Sequence, residues 1–146
     1  LGGAAWRQWV TNQPPQWGQD GAGFAKRLRA ASVTTAITET SLAFGSAAMR
    51  QDANYYRSPQ GGLLPRARHA FEMTFLARNR EGEKVFSPSK TIAPFIGPIV
   101  VQNTLYPDRH DFGDALLSGA YSLLINAGLN AAKEFILKTP AWDGEE

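Results

Sequence analysis

The run Ala115-Leu116-Leu117-Ser118-Gly119-Ala120-Tyr121-Ser122-Leu123-Leu124-Ile125-Asn126-Ala127-Gly128-Leu129-Asn130-Ala131-Ala132 contains no charged residue. As an α-helix it covers roughly 27 Å at ~1.5 Å per residue, just short of the ~30 Å hydrocarbon core of a bilayer. Length therefore permits a membrane span. Composition is less favourable, because Ser118, Ser122, Asn126, Gly128 and Asn130 dilute the leucines and make insertion marginal. The preferred expectation is a helix buried in protein or lying at a membrane surface. The element is expected from about Phe112 to Leu137, with Asp111 as N-cap, Asp114 near the positive end of the dipole, and Lys133 and Lys138 near the negative end.

Outward from this run, two further segments share its poverty of charge. From Asp20, a plausible N-cap, a helical pattern runs to about Asp52; between Ala30 and Met49 its only charge is Glu39. Small residues recur there (Ala36, Ser41, Ala43, Gly45, Ser46, Ala47, Ala48), and such faces let another backbone approach closely. The β-branched Val33-Thr34-Thr35 is a candidate break. Thr91 to Tyr106 is uncharged but carries Pro94, Gly97 and Pro98, predicting a kinked helix, or a loop before a shorter one.

Between them, Tyr55 to Gly62 is a loop by its Pro and Gly content. A helix can begin at Pro65 and place Ala67, Ala70, Phe71, Thr74 and Phe75 at helical spacing. Residues 75 to 86 can instead close a short β-hairpin around the polar Asn79-Arg80-Glu81-Gly82. The expected fold class is thus mostly α: a small bundle of about four helices with Ala/Gly/Ser packing faces and a short β-hairpin near 75–86. A Trp-rich N-terminal arm (1–19) precedes the helical domain (20–138), and a C-terminal tail (139–146) follows.

With 146 residues, the chain is long enough for one domain with a real core. Charged residues make up 19%, below the usual ~25%, which points to surface covered by a partner or a membrane edge. Fifteen Lys and Arg against thirteen Asp and Glu give +2, which argues against a dedicated nucleic-acid binder. Without cysteine there is no disulfide framework, thiolate nucleophile or Cys-based zinc site. The chain opens Leu1-Gly2-Gly3-Ala4-Ala5, without an initiator Met or a basic segment ahead of an apolar run; processing and export are the expectation.

Every candidate for chemistry has a simpler structural account. Asp108-Arg109-His110-Asp111-Phe112-Gly113-Asp114 invites a metal reading, but helix capping explains Asp111 and Asp114, and an EF-hand would need Glu where Gly119 stands. His69 and Glu72 share a helix face and offer an acid/base or ligand pair, yet no second such pair exists, so an ordinary hydrogen bond or ion pair is preferred. Gly21-Ala22-Gly23-Phe24-Ala25-Lys26 resembles the start of a dinucleotide loop without its preceding strand or its sixth glycine. No catalytic residue, metal or cofactor is therefore expected.

Pro15-Gln16-Trp17-Gly18-Gln19, Leu64-Pro65-Arg66-Ala67-Arg68-His69-Ala70, Asn103-Thr104-Leu105-Tyr106-Pro107-Asp108-Arg109, Asn126-Ala127-Gly128-Leu129-Asn130 and Glu134-Phe135 together resemble a family of uncharacterised bacterial proteins, helical and exported into the cell envelope, with no assigned activity. The chain departs from that pattern at Asp52-Ala53-Asn54-Tyr55, where the family tends to acidic residues with Pro and Arg. The resemblance implies a location, periplasmic or membrane-associated, and no reaction. The functional expectation is a non-enzymatic structural or accessory subunit of a larger envelope or membrane-associated assembly. Its contacts would be made to other protein subunits or a membrane surface through Trp6, Trp9, Trp17, Gly45, Gly119 and Tyr121. The alternative is a lipid- or small-molecule-binding helical module, its pocket enclosed by the third and last helices.

Overall fold

In the computed structural model, residues 14–106, 112–137 and 140–141 are described. Among them are four α-helices and one hairpin: α1 Gly21–Ala48, α2 Leu63–Glu72, β1 Leu76–Arg78, β2 Lys84–Phe86, α3 Pro88–Thr104 and α4 Phe112–Phe135. A single 3-10 turn, Pro15–Trp17, leads into α1. The mostly α bundle with a hairpin at 76–86 agrees with the fold class read from the sequence.

Asp20 caps α1 through its Oδ1, which accepts the Gly23 amide at 2.7 Å. The buried Arg27 secures the preceding turn by donating to the carbonyls of Gly18 at 2.7 Å and Pro14 at 3.0 Å. No break occurs at Val33-Thr34-Thr35. The hydroxyls of Thr34 and Thr35 return to the carbonyls of Ala30 and Ala31, one turn earlier, so these residues are accommodated inside a continuous helix. The helix stops at Ala48 rather than near Asp52, because Arg50 takes a left-handed φ of 54°. Its amide bonds Ala47 O and the Gln51 amide bonds Ser46 O, the Schellman arrangement with arginine in place of the usual glycine.

The second helix begins at Leu63, two residues before the expected Pro65, which falls in the first turn where its missing amide is tolerated. After α2 the chain forms the antiparallel hairpin, pairing Leu76 with Phe86, Ala77 with Val85 and Arg78 with Lys84. Gly82, at φ 78°, turns the chain, and Asp52 exchanges backbone hydrogen bonds with Arg78 to fix the segment after α1 along β1.

The third segment is one helix despite Pro94 and Pro98. Ser87 caps it and Pro88 occupies its first position. It is the central element: α1 packs antiparallel along α3, and α4 packs along it as well. Close approach in both contacts depends on glycine. A Cβ on Gly45 would stand 2.7 Å from the Ser89 Cβ, and one on Gly119 would overlap the Phe95 ring. The small-residue faces foreseen in α1 and α4 therefore serve contacts within the chain at these positions. A compact apolar cluster of Tyr55, Ala70 and Met73, flanked by Leu76 and Ala131, joins α2 to the C-terminal end of α4.

Candidate functional site

The last helix is amphipathic in the reverse sense from an ordinary surface helix. Ser118, Ser122, Asn126, Asn130 and Lys133 recur at steps of three and four residues and face a groove that α1 and α4 form over α3. The opposite stripe carries Leu117, Ala120, Tyr121, Leu124, Ile125 and Gly128, all exposed. Leu124 and Ile125 are 65% and 62% accessible, and only 17% of the most apolar 18-residue window is buried. The rest of this chain leaves the uncharged run largely uncovered. By length and composition α4 is apolar enough to cross a membrane.

Inside the groove the polar stripe finds partners. Gln102 Nε2 donates to Ser118 Oγ at 3.2 Å, and Asn130 Nδ2 donates to Thr74 Oγ1 at 3.2 Å. The space among α1, α3 and α4 is about 320 Å³ and is lined by Glu39, Asn54, Lys90 and Lys133 as well as Leu42, Ala93 and Leu129. Lys90 projects from the first turn of α3 to the end of α2, donating to the carbonyls of Met73 and Leu76, both at 2.9 Å. Burial pushes its pKa down to about 8; the Asp52 charge opposes this and Lys133 adds to it.

At the C-terminal end of α4, Glu134 is sealed from solvent. Its Oε1 accepts Arg66 Nε at 2.6 Å, while its Oε2 accepts the Tyr55 hydroxyl at 2.7 Å and the Ser58 amide at 3.0 Å. Burial alone would raise the carboxyl, but the hydrogen bonds from Arg66, Tyr55 and Ser58 outweigh it and hold the group below the usual carboxylate range. Conversely, burial and the adjacent carboxylate drive the Tyr55 phenol upward. The Arg66 guanidinium also lies 4.7 Å from the Phe135 ring centroid. This is a structural lock, fully occupied by protein groups. Its one visible sign in the sequence is an acidic residue directly after eighteen uncharged positions and one lysine.

His69 and Glu72 do share a face of α2, but both are engaged. Lys84 Nζ lies 2.9 Å from His69 Nδ1, and His69 Nε2 lies 2.9 Å from the Tyr56 carbonyl. With the ammonium donating to Nδ1, the ring proton is on Nε2 and is donated to Tyr56. Glu72 receives Arg68 Nε at 2.6 Å and lies 3.6 Å from Lys84 Nζ. The Arg68 hydrogen bond is the main reason its carboxyl is held low. Among the described residues no group of three His, Asp or Glu is placed to hold a metal.

Of the six interaction candidates, Trp6 and Trp9 lie outside the described residues, as do Asp108 to Asp111. Trp17 packs on Tyr106, ring centroids 4.9 Å apart, at the end of α3. Gly45 and Gly119 face Ser89 and Phe95 of the same chain. Of the four that are described, Tyr121 alone is exposed. Asp114 occupies the first turn of α4, favourable to the helix dipole. The Gly21–Lys26 segment is simply the first turns of α1. Comparison with family models, curated proteins and solved structures finds no match for this chain.

Proposed function

We propose that this protein is a non-enzymatic accessory subunit of a membrane-associated assembly in the cell envelope, resting on the lipid surface through the outer stripe of α4. The observation that carries this reading is the reversed amphipathicity of α4. Ser118 and Ser122 are half-buried and Asn130 is buried toward the groove, whereas Leu117, Tyr121, Leu124 and Ile125 are exposed. Water is a poor environment for such a stripe, and contiguous exposed apolar patches mark interaction surfaces.

The other helices favour lying on the membrane over crossing it. α1 packs along α3 through its middle and C-terminal turns, where it exposes Glu39, and exposes Lys26 and Arg29 in its first turns. Were α4 to span, packing would carry the middle of α1 toward the bilayer and place Glu39 there, a charge that costs about 2.5–3.5 kcal/mol near the centre. With α4 in the plane, only its outer stripe need enter the lipid, and the exposed charges of α1 are not obliged to follow it. The resemblance to exported envelope proteins supports the same location.

Flotation of the full chain with liposomes tests the reading. The wild type should rise with the vesicles and remain in solution without them, whereas Leu117→Glu with Leu124→Glu should not rise. A wild-type chain that stays at the bottom of the gradient overturns the lipid contact. A defined stoichiometric complex abolished by the same substitutions would then assign the stripe to a protein neighbour.

A further inference from the structure

The cleft between α2 and the hairpin is separate from the α4 stripe and holds an excess of positive charge. It encloses about 630 Å³, within the range of small-molecule sites, between Ser58-Pro59-Gln60, Leu64, Pro65 and the side chains of Arg68, His69, Glu72, Arg78 and Lys84. Residues 65, 68, 69 and 72 are one face of α2, so the helix supplies one wall as a unit. Three cations stand against a single carboxylate there.

The hairpin adds a more pointed feature. Arg78 and Lys84 are direct cross-strand partners, a like-charge juxtaposition that destabilises a sheet unless something between the charges offsets it. In the free chain each cation turns aside. Arg78 donates to the Gly82 carbonyl at 2.6 Å and lies over the Tyr56 ring, while Lys84 turns to His69 and Glu72. The Arg68–Glu72 pair is solvent-exposed, the kind of ion pair that contributes little and exchanges readily.

We propose that this cleft binds a phosphate-bearing ligand, with Lys84 and Arg68 on the anion, Arg78 supporting the charge from below, and Leu64 and Pro65 against the organic portion. A doubly charged phosphate matches the local excess, and the arginine fork suits its oxygens. Glu72 competes with the ligand for the two cations it now occupies. A free phosphate ester and the headgroup of an anionic lipid present the same chemistry, and the exposed Leu63 and Leu64 stand at the rim for the second case.

Calorimetric titration of the full chain with glycerol 3-phosphate tests the site without any bilayer, independently of the α4 reading. Sedimentation with phosphatidylglycerol against phosphatidylcholine vesicles forms the second arm. Saturable binding in the first arm identifies a soluble ester. A Lys84-dependent preference for phosphatidylglycerol, with no binding in the first arm, identifies a headgroup; either result supports the site. Lys84→Gln should weaken binding about tenfold and Glu72→Gln should strengthen it several-fold, opposite signs that a loss of folding does not produce. Arg80→Gln, the same charge change outside the cleft, should have no effect. The proposal is overturned by no binding in either arm, by a Lys84→Gln variant equal to wild type, or by Arg80→Gln weakening binding as much as Lys84→Gln.

Discussion

Arg66 and Glu134, 68 positions apart, meet at 2.6 Å and tie the first turns of α2 to the last turn of α4. Because Glu134 also takes the Tyr55 hydroxyl and the Ser58 amide, one carboxylate organises three segments around the end of the one described helix long and apolar enough to cross a membrane.

Removing that carboxylate leaves a cation, a hydroxyl and an amide without their shared acceptor. Glu134→Ala should lower unfolding stability by about 3–5 kcal/mol, the range for one partner lost from a buried pair. Tyr55→Phe should cost about 2 kcal/mol, since it deletes one hydrogen bond to a charged group. Urea unfolding at neutral pH measures both.

Acid should weaken the same lock. The unfolded glutamate titrates near ~4.3, whereas the folded carboxyl is held lower. Above ~4.3 both states are ionised and the lock contributes in full. As pH falls through that value the unfolded chain takes up protons first, and the contribution is lost until the folded carboxyl protonates. Glu134→Gln should flatten this part of the stability profile, which unfolding series between pH 2 and 6 would reveal.

Lys90 produces a slope of the same sign in alkali. Its folded pKa is about 8, below the ~10.4 of an unfolded lysine, so between those values the unfolded state binds more protons. Stability should therefore rise as pH climbs from about 8 to about 10.5. Lys90→Met should remove the rise while freeing the carbonyls of Met73 and Leu76, and thermal unfolding across this interval checks it.

Two glycines of α4 should respond oppositely to alanine. Gly119→Ala drives a methyl into the Phe95 ring and should cost about 1–3 kcal/mol. Gly128→Ala meets nothing within 4 Å and gains helix propensity, up to about 1 kcal/mol. A difference in denaturation midpoint of opposite sign for the two variants is the expected result.

The helices were legible because their signals are local. Asp20 caps where a short polar side chain precedes a periodic run, and the 79–82 turn residues pointed to the hairpin. Thr34 and Thr35 misled as a break, since average propensity gives no sign of side-chain bonds to the preceding turn. Pro94 and Pro98 likewise left open a loop that the structure replaces with one helix held against α1 and α4. The cleft was only half visible: His69 and Glu72 are spaced on one helix, but Arg78 and Lys84 reach it through the hairpin.

By itself, the sequence determined that Ala115–Ala132 is an uncharged helical run whose leucines are diluted by Ser118, Ser122, Asn126, Gly128 and Asn130, because charge, length and composition are local properties of the chain. Tertiary structure alone decided that the polar stripe turns inward and the apolar stripe out. That choice rests on contacts between distant residues, Gln102 with Ser118, Thr74 with Asn130 and Arg66 with Glu134, whose pairing no spacing along the chain encodes.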